Sequence, residues 1–258
     1  MRNKGERGNL SVLMQSGNNG GQSAPVEAFR AGVPAVVERV LAGGQGFTVR
    51  CTPHRRTVMV HTDDGDTLFV KLRQGRHADA RAEWHWLHVL PMLGLQVPQP
   101  VTLERRGRQS VLCTMQAPGR PLDALLAEAL RAGERARVLR FCCTAVAPRV
   151  QRLHDQGLVF RDLYWNHLFA QSLDAAADIT FVDVERVFRP RWRAWRWGVK
   201  DLAGLAASFP EVVPPRAGMR FLVAYLGERA GDRRLRRRLF EAVRRKAARI
   251  RAHQPRYG

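Results

Sequence analysis

Leu153-His154-Asp155-Gln156-Gly157-Leu158-Val159-Phe160-Arg161-Asp162-Leu163-Tyr164-Trp165-Asn166-His167 is the stretch on which the reading of this chain turns. Its spacing predicts a helix that stops at Gly157, a short apolar run into Arg161-Asp162, and an apolar strand opening at Leu168-Phe169. A carboxylate and a guanidinium thus share a loop between a helix and a hairpin-like strand. Farther on, the β-run Ile179-Thr180-Phe181-Val182 closes on Asp183. An Asp there can simply cap a turn, or it can face a crevice with its carboxylate open. Then Lys200-Asp201-Leu202-Ala203-Gly204-Leu205 opens a helix, and Asp201 can cap it or bond to the backbone of the loop at Arg161.

Upstream, Lys71 interrupts the apolar strand Leu68-Phe69-Val70-Lys71-Leu72. Burying a lysine on a strand is costly unless it meets anions. The preceding run Val58-Met59-Val60-His61-Thr62 and the turn Asp63-Asp64-Gly65-Asp66 mark a hairpin. A helix is predicted over residues 78–93, ended by Gly94 and followed by Pro98 and Pro100. Its Glu83 is flanked by apolar positions and can turn inward to pair with Lys71. A strand over residues 110–115 runs into the connector Gln116-Ala117-Pro118-Gly119-Arg120-Pro121, and helices follow over residues 122–132 and 134–156. The expected fold class is α+β, with two lobes. A Gly-, Asn- and Ser-rich mobile leader (residues 1–25) precedes a small β-rich N-lobe (26–116). A larger helical C-lobe (117–258) carries a basic C-terminal helix, and the site lies in the crevice between the lobes.

Phosphoryl transfer needs few parts: a cation on the donor phosphates, a carboxylate for the metal, and another to orient the acceptor hydroxyl. Lys71, Glu83, Asp162 and Asp183 fall in that order. Arg161-Asp162-Leu163 matches the kinase catalytic loop H-R-D-L-x-x-x-N, with Phe160 in place of the His. Each element alone is common; the ordered set is not. Over roughly residues 55–210 the chain resembles the lipopolysaccharide core (heptose and Kdo) kinases, relatives of the protein kinases. The resemblance rests on Phe69-Val70-Lys71, Glu83-Trp84, the stretch from Arg161 to His167, Val182-Asp183 and the basic Trp segment ending in Lys200-Asp201. The spacing of Asp162, Tyr164 and His167 fits this family more closely than the protein kinases, which carry Asn at the last position.

The resemblance implies a protein-kinase-like fold and ATP with Mg²⁺ (Mn²⁺ being the alternative). Asp162 would be the catalytic base, with Arg161 steadying its loop, and Asp183 the metal ligand with His167 beside it. Lys71, held by Glu83, would bind the ATP phosphates, and Met115 would join the nucleotide site. No clear G-x-G-x-x-G loop is present. Gly44 and Gly46 in Ala42-Gly43-Gly44-Gln45-Gly46-Phe47 are the candidates for it.

The chain has 258 residues, with Lys+Arg 43 against Asp+Glu 23 and a net charge of +20. Such an excess predicts attraction to polyanions, or reflects an Arg-rich solvated surface. It is concentrated in two places. Residues 186–197 include Arg189, Arg191, Trp192 and Arg193, which suit phosphates and a sugar or membrane interface, with Trp192, Trp195 and Trp197 equally readable as core. Residues 229–251 form a basic amphipathic helix, expected to dock on the C-lobe and to show its charged face to anionic lipid. Cys51, Cys113, Cys142 and Cys143 show neither zinc nor disulfide spacing, and Cys142 and Cys143 read as small core residues in a reducing compartment. No stretch is long and apolar enough to span a membrane, and no signal peptide is visible. The expected place is therefore cytoplasmic and peripheral on the inner membrane face. The expected partners are ATP, a lipid-linked core oligosaccharide and the anionic membrane surface, with no specific nucleic acid. Two other readings stand beside this one: an inactive kinase-like scaffold on membrane or nucleic acid, and a kinase for another small molecule or a protein.

Overall fold

In the computed structural model, which describes residues 35–44 and 46–253, the Lys71 run is strand β3 (Thr67–Gln74) at the centre of an antiparallel sheet. The sheet has the order β1 (Phe47–Thr52), β2 (Arg55–His61), β3, β5 (Gln109–Met115) and β4 (Pro100–Arg106). The leader expected over residues 1–25 and the start of the expected N-lobe lie outside the described residues. The hairpin read from the Asp-Asp-Gly turn is present as β2–β3, with Val58 opposite Val70 and Thr57 opposite Lys71. Strands β1 and β4 are additions to the sequence reading. β1 is exposed along its whole length, so no buried alternation marked it.

Side chains alternate across a strand, so β3 sorts its residues by parity. Leu68, Val70 and partly Leu72 join Val58, Val60, Val111 and Cys113 on one face, against Val36, Val37 and Val40 of helix α1 (described over residues 35–41). Each Val or Leu fully buried there contributes roughly 1.5–3 kcal/mol. That face anchors the sheet and leaves Lys71 and Arg73 to the other. Helix α2 (Arg81–Met92) lies on this second face and buries Glu83, Leu87 and Leu90.

Beyond the connector the chain is helical. Helix α3 (Leu122–Arg131) is followed by α4 (Arg135–Phe141), which passes through a widened π-turn (Cys142–Val146) into α5 (Ala147–Asp155). The wide turn lies directly before Pro148, whose ring would collide with a carbonyl four residues back in a regular helix. Short strands β6 (Arg120–Pro121), β7 (Leu168–Ala170) and β8 (Thr180–Phe181) pair beside the Asp162 loop. Helices α6 (Ala194–Ser208), α7 (Pro215–Leu226) and α8 (Arg233–Ala252) complete the part. α6 begins at Ala194, ahead of the expected Lys200, so Asp201 is an interior helix residue and does not cap it. The basic helix α8 docks as expected. It is capped by Asp232, whose side chain accepts from the Arg234 and Leu235 amides, and it buries Leu239, Val243 and Ala247. Cys113 and Cys142 are buried, Cys143 is half-buried and Cys51 is exposed.

Candidate active site

Three cations and three carboxylates meet where the sheet faces the turn after β8. Arg55 and Arg73 are cross-strand partners on β2 and β3, as are Thr57 and Lys71. Partners across an antiparallel ladder share a face, so Arg55, Lys71 and Arg73 line up on one side of the sheet. Glu83 of α2 is 1% exposed and accepts from both the Lys71 ammonium and the Arg73 guanidinium. Arg73 Nη1 also meets Glu185 Oε1 at 3.1 Å, and Arg55 pairs with the same Glu185. Lys71 Nζ lies 3.9 Å from Asp183 Oδ1, beyond hydrogen-bond length.

Asp183 stands at φ 56°, a left-handed conformation that Asp tolerates better than most residues and that turns the chain out of β8. Burial would raise its pKa; Lys71, Arg55 and His167 beside it outweigh burial and hold the carboxyl below its ordinary value. Burial also opposes the charge on Arg55, but Glu185, Asp183 and Glu83 more than offset it. Ligand oxygens of Glu83, Asp183 and Glu185 lie within 4.8 Å of one another, a spacing that a hard divalent cation can bridge. Glu83 and Glu185 are engaged by Arg73, so Asp183 has the more open oxygens.

The Asp162 loop is held from behind by α6. Asp201 Oδ2 accepts from the Phe160 amide at 2.6 Å and Oδ1 from the Arg161 amide at 2.8 Å. His154 Nε2 lies 3.3 Å from Asp201 Oδ2, and its Nδ1 is 2.8 Å from the Tyr225 hydroxyl. Of the two options read from sequence for Asp201, the backbone bond is the one realised. Phe160, in the position of the expected His, is fully buried and packs against Phe181 with the rings tilted and their centroids 5.8 Å apart. Helix α6 passes so close that a Cβ on Gly204 would lie 2.4 Å from the Leu163 carbonyl oxygen. Arg161 has φ 72°, and its guanidinium sits 6.0 Å over the Trp197 ring.

The Asp162 carboxylate meets Arg186 Nη1 at 2.6 Å and Lys200 Nζ at 4.0 Å. Lys200 also donates to the Arg161 carbonyl, and burial pulls its pKa below the ordinary lysine value. His167 Nδ1 lies 2.7 Å from the Asp162 backbone oxygen. A carbonyl can only accept, so Nδ1 carries a proton, and in the neutral ring Nε2 is the nitrogen that keeps a free lone pair. An ionised Asp183 beside such an imidazole is a donor set that fits a divalent cation.

Several candidates lie away from this centre. Gly44 and Gly46 precede β1, and a Cβ on Gly46 would meet Val58 and Val60 side chains, so these glycines join α1 to the sheet at the end remote from Arg73. The turn nearest Arg73 is residues 52–55, which contain no glycine. Met115 closes β5 opposite Leu68 and packs with the α1-facing cluster, which puts its side chain on the face away from Lys71. Arg189, Arg191 and Arg193 are exposed. Their tryptophans divide: Trp192 is 81% exposed, Trp195 is stacked by Arg238 at 4.9 Å, and Trp197 packs edge-on to Phe188 at 5.2 Å. Arg55, Arg73, Glu185, Arg186 and Lys200 are the site members that the sequence reading did not assign. Arg73 and Glu185 had a signal, each two residues beyond a chosen residue.

A separate cavity of about 480 Å³ opens in the helical part, lined by apolar side chains such as Phe209, Phe221, Leu222 and Phe240, with Arg244 and Arg251 among its polar members. No described helix is long and apolar enough to cross a membrane.

The model of the lipopolysaccharide kinase (Kdo/WaaP) family matches residues 56–225. A solved structure described as WaaP in complex with acyl carrier protein is similar at a TM-score of 0.68 and 26% identity, over 88% of this chain and 92% of that one. No curated protein sequence matches.

Proposed function

Because this chain belongs to the lipopolysaccharide kinase (Kdo/WaaP) family, an ATP-dependent phosphotransferase family, we propose that it phosphorylates a hydroxyl of a lipid-linked inner-core sugar at the cytoplasmic membrane face. The observation that supports this reading most is the convergence of the Lys71–Glu83 pair, Asp183 and the braced Asp162 loop on one side of the sheet.

In this reading Lys71, oriented by Glu83, meets the donor phosphates. Asp162 accepts a hydrogen bond from the acceptor hydroxyl and orients its lone pair at the γ-phosphorus; it takes the proton as the new P–O bond forms and the bond from the γ-phosphorus to the β–γ bridging oxygen breaks, releasing ADP. Arg186 and Lys200 flank that carboxylate and lie where negative charge gathers. Asp183, with His167 Nε2 beside it, would hold the divalent cation, which supplies charge neutralisation on the phosphates. The exposed Arg189, Arg191, Trp192 and Arg193 would turn the site toward the anionic leaflet. WaaP has been solved with acyl carrier protein, and we extend such a partner to this chain: its apolar 480 Å³ cavity has the lining an acyl chain needs.

Purified protein incubated with labelled ATP and core lipopolysaccharide from a phosphate-deficient strain should add one phosphate to the core, read by mass. Asp162→Asn should cut turnover by ~10²-fold or more with nucleotide binding little changed. Full turnover by Asp162→Asn would remove the mechanism, and transfer to other acceptors but not to core sugar would remove the substrate.

A further inference from the structure

Kinases cover the donor phosphates with a glycine-rich loop whose backbone N–H groups point at the oxygens. The corresponding connection here, residues 52–55 between β1 and β2, is Thr52-Pro53-His54-Arg55. It lacks glycine, and Pro53 has no N–H to offer. The turn is also tied back to the sheet. Gln74 Nε2 donates to the Pro53 carbonyl at 2.8 Å, and the Gln74 amide donates to the His54 carbonyl at 3.1 Å. Two of its carbonyls are therefore tied to β3, which holds the turn down against the sheet. Something else must supply the positive potential.

Three cations share that face, and their freedom differs. Arg73 is buried and bonded to both Glu83 and Glu185. Lys71 is committed to Glu83. Arg55 ends the covering turn, its side chain is 25% exposed, and it pairs with Glu185 at the entrance. Glu185 would not be stranded by its departure, because Arg73 Nη1 holds the other carboxylate oxygen at 3.1 Å. Both ends of an exchange are thus satisfied, and moving the half-buried Arg55 leaves no fully buried charge unpaired.

Resting on the kinase reading above, we propose that Arg55 is a nucleotide-binding residue. It leaves Glu185 when ATP enters and grips the β- and γ-phosphate oxygens, doing with a guanidinium fork what a glycine-rich loop does with backbone amides. The planar fork suits two oxygens of a polyphosphate at once, and Glu185 parks it when the site is empty.

The test is equilibrium binding of ATP, ADP and AMP, each with Mg²⁺, to the full chain and to Arg55→Ala, Arg55→Lys and Glu185→Gln, with melting temperatures alongside. Arg55→Ala should weaken ATP by about 10- to 100-fold, the worth of a charge-assisted hydrogen bond or two, and leave AMP within about twofold. Arg55→Lys should restore part of the loss, since the charge returns without the fork. Glu185→Gln, which releases Arg55, should tighten ATP relative to AMP. Equal weakening of ATP and AMP, or a lowered melting temperature with ATP affinity intact, would make Arg55 a structural brace and overturn the assignment. An unaltered chain that binds none of the three nucleotides would overturn the kinase reading and Arg55 with it, whereas an unaltered chain that binds ATP as tightly as Arg55→Ala would sink the Arg55 role alone.

Discussion

Glu83 and Lys71 form one ion pair but stand in different surroundings. Glu83 is 1% exposed and accepts from the buried Arg73 as well, whereas the Lys71 side chain is 19% exposed at the rim. Removing a partner of a buried pair leaves a charge without compensation, which costs about 3–5 kcal/mol when nothing else reaches it. Glu185 still reaches Arg73, so Glu83→Gln should cost less, on the order of 2–3 kcal/mol. Lys71→Met removes a partly solvated charge and should change stability by under ~1 kcal/mol. Both variants should lose turnover. In chemical denaturation with activity measured in parallel, Glu83→Gln should shift the midpoint clearly and Lys71→Met hardly at all. Equal shifts would mean that Lys71 belongs to the structural network, and full activity in Lys71→Met would detach it from the donor phosphates. From sequence the two residues looked like equal members of one catalytic pair. The inequality comes from Arg73, which the alternation of β3 places on the same face.

At the scale of elements, α6 is the bracket of the site. It carries Lys200 and Asp201 one residue apart, so one helix supplies a donor to the Arg161 carbonyl and two acceptors for the Phe160 and Arg161 amides. Arg161 holds φ 72° between these bonds, a conformation that costs roughly 1–2 kcal/mol for a residue with a Cβ. Asp201→Asn keeps one acceptor and turns an NH₂ toward a backbone N–H. The loop should then relax out of the left-handed conformation and carry Asp162 with it. Turnover should fall by at least about 10-fold while the KM for ATP changes little, because Lys71 and Asp183 are on other elements. A KM for ATP that rises in step with the loss of turnover would show that α6 supports the whole nucleotide site and not the Asp162 loop in particular. Trp197 belongs to the same helix, and its position under Arg161 makes part of the basic Trp segment a support of the loop.

For the whole molecule the governing quantity is the net charge of +20. On the proposed reading the acceptor is lipid-borne in an anionic leaflet, where each well-placed Lys or Arg would contribute roughly 1 kcal/mol of adsorption. Such attraction weakens as the Debye length shrinks from about 10 Å at 0.1 M salt to about 3 Å at 1 M. Sedimentation with anionic vesicles should be strong at low salt and mostly lost at high salt, with neutral vesicles bound poorly throughout. Neutralising Arg189, Arg191 and Arg193 together should raise the KM for lipid-borne acceptor and spare turnover on a soluble core fragment. These residues are exposed beside Trp192, so the fold should tolerate the change. Equal binding to neutral and anionic vesicles would sink the surface-docking reading.

The order of elements, the β2–β3 hairpin, the inward Lys71 and Glu83 and the carboxylates at Asp162 and Asp183 were legible in the chain. Local period and turn chemistry carry them: apolar residues every second position in β3, Asp-Gly at the turn, glycine at the helix ends. By itself the sequence determined which charges stand on apolar elements and hence must find partners. Which partners they find is a tertiary matter. Asp201 reaches the Phe160 amide across 41 positions and Arg55 reaches Glu185 across 130, and no local pattern encodes a contact at such separations. The exposed strand β1 escaped the reading because it has no buried face to impose a period, and Gly44 and Gly46 misled because a glycine cluster says where the backbone bends and not what lies above it. Only the packing of the sheet against the turn after β8 and of α6 behind the Asp162 loop brings these charges together, because that packing strips away much of their water and the nearest opposite charge is on another element.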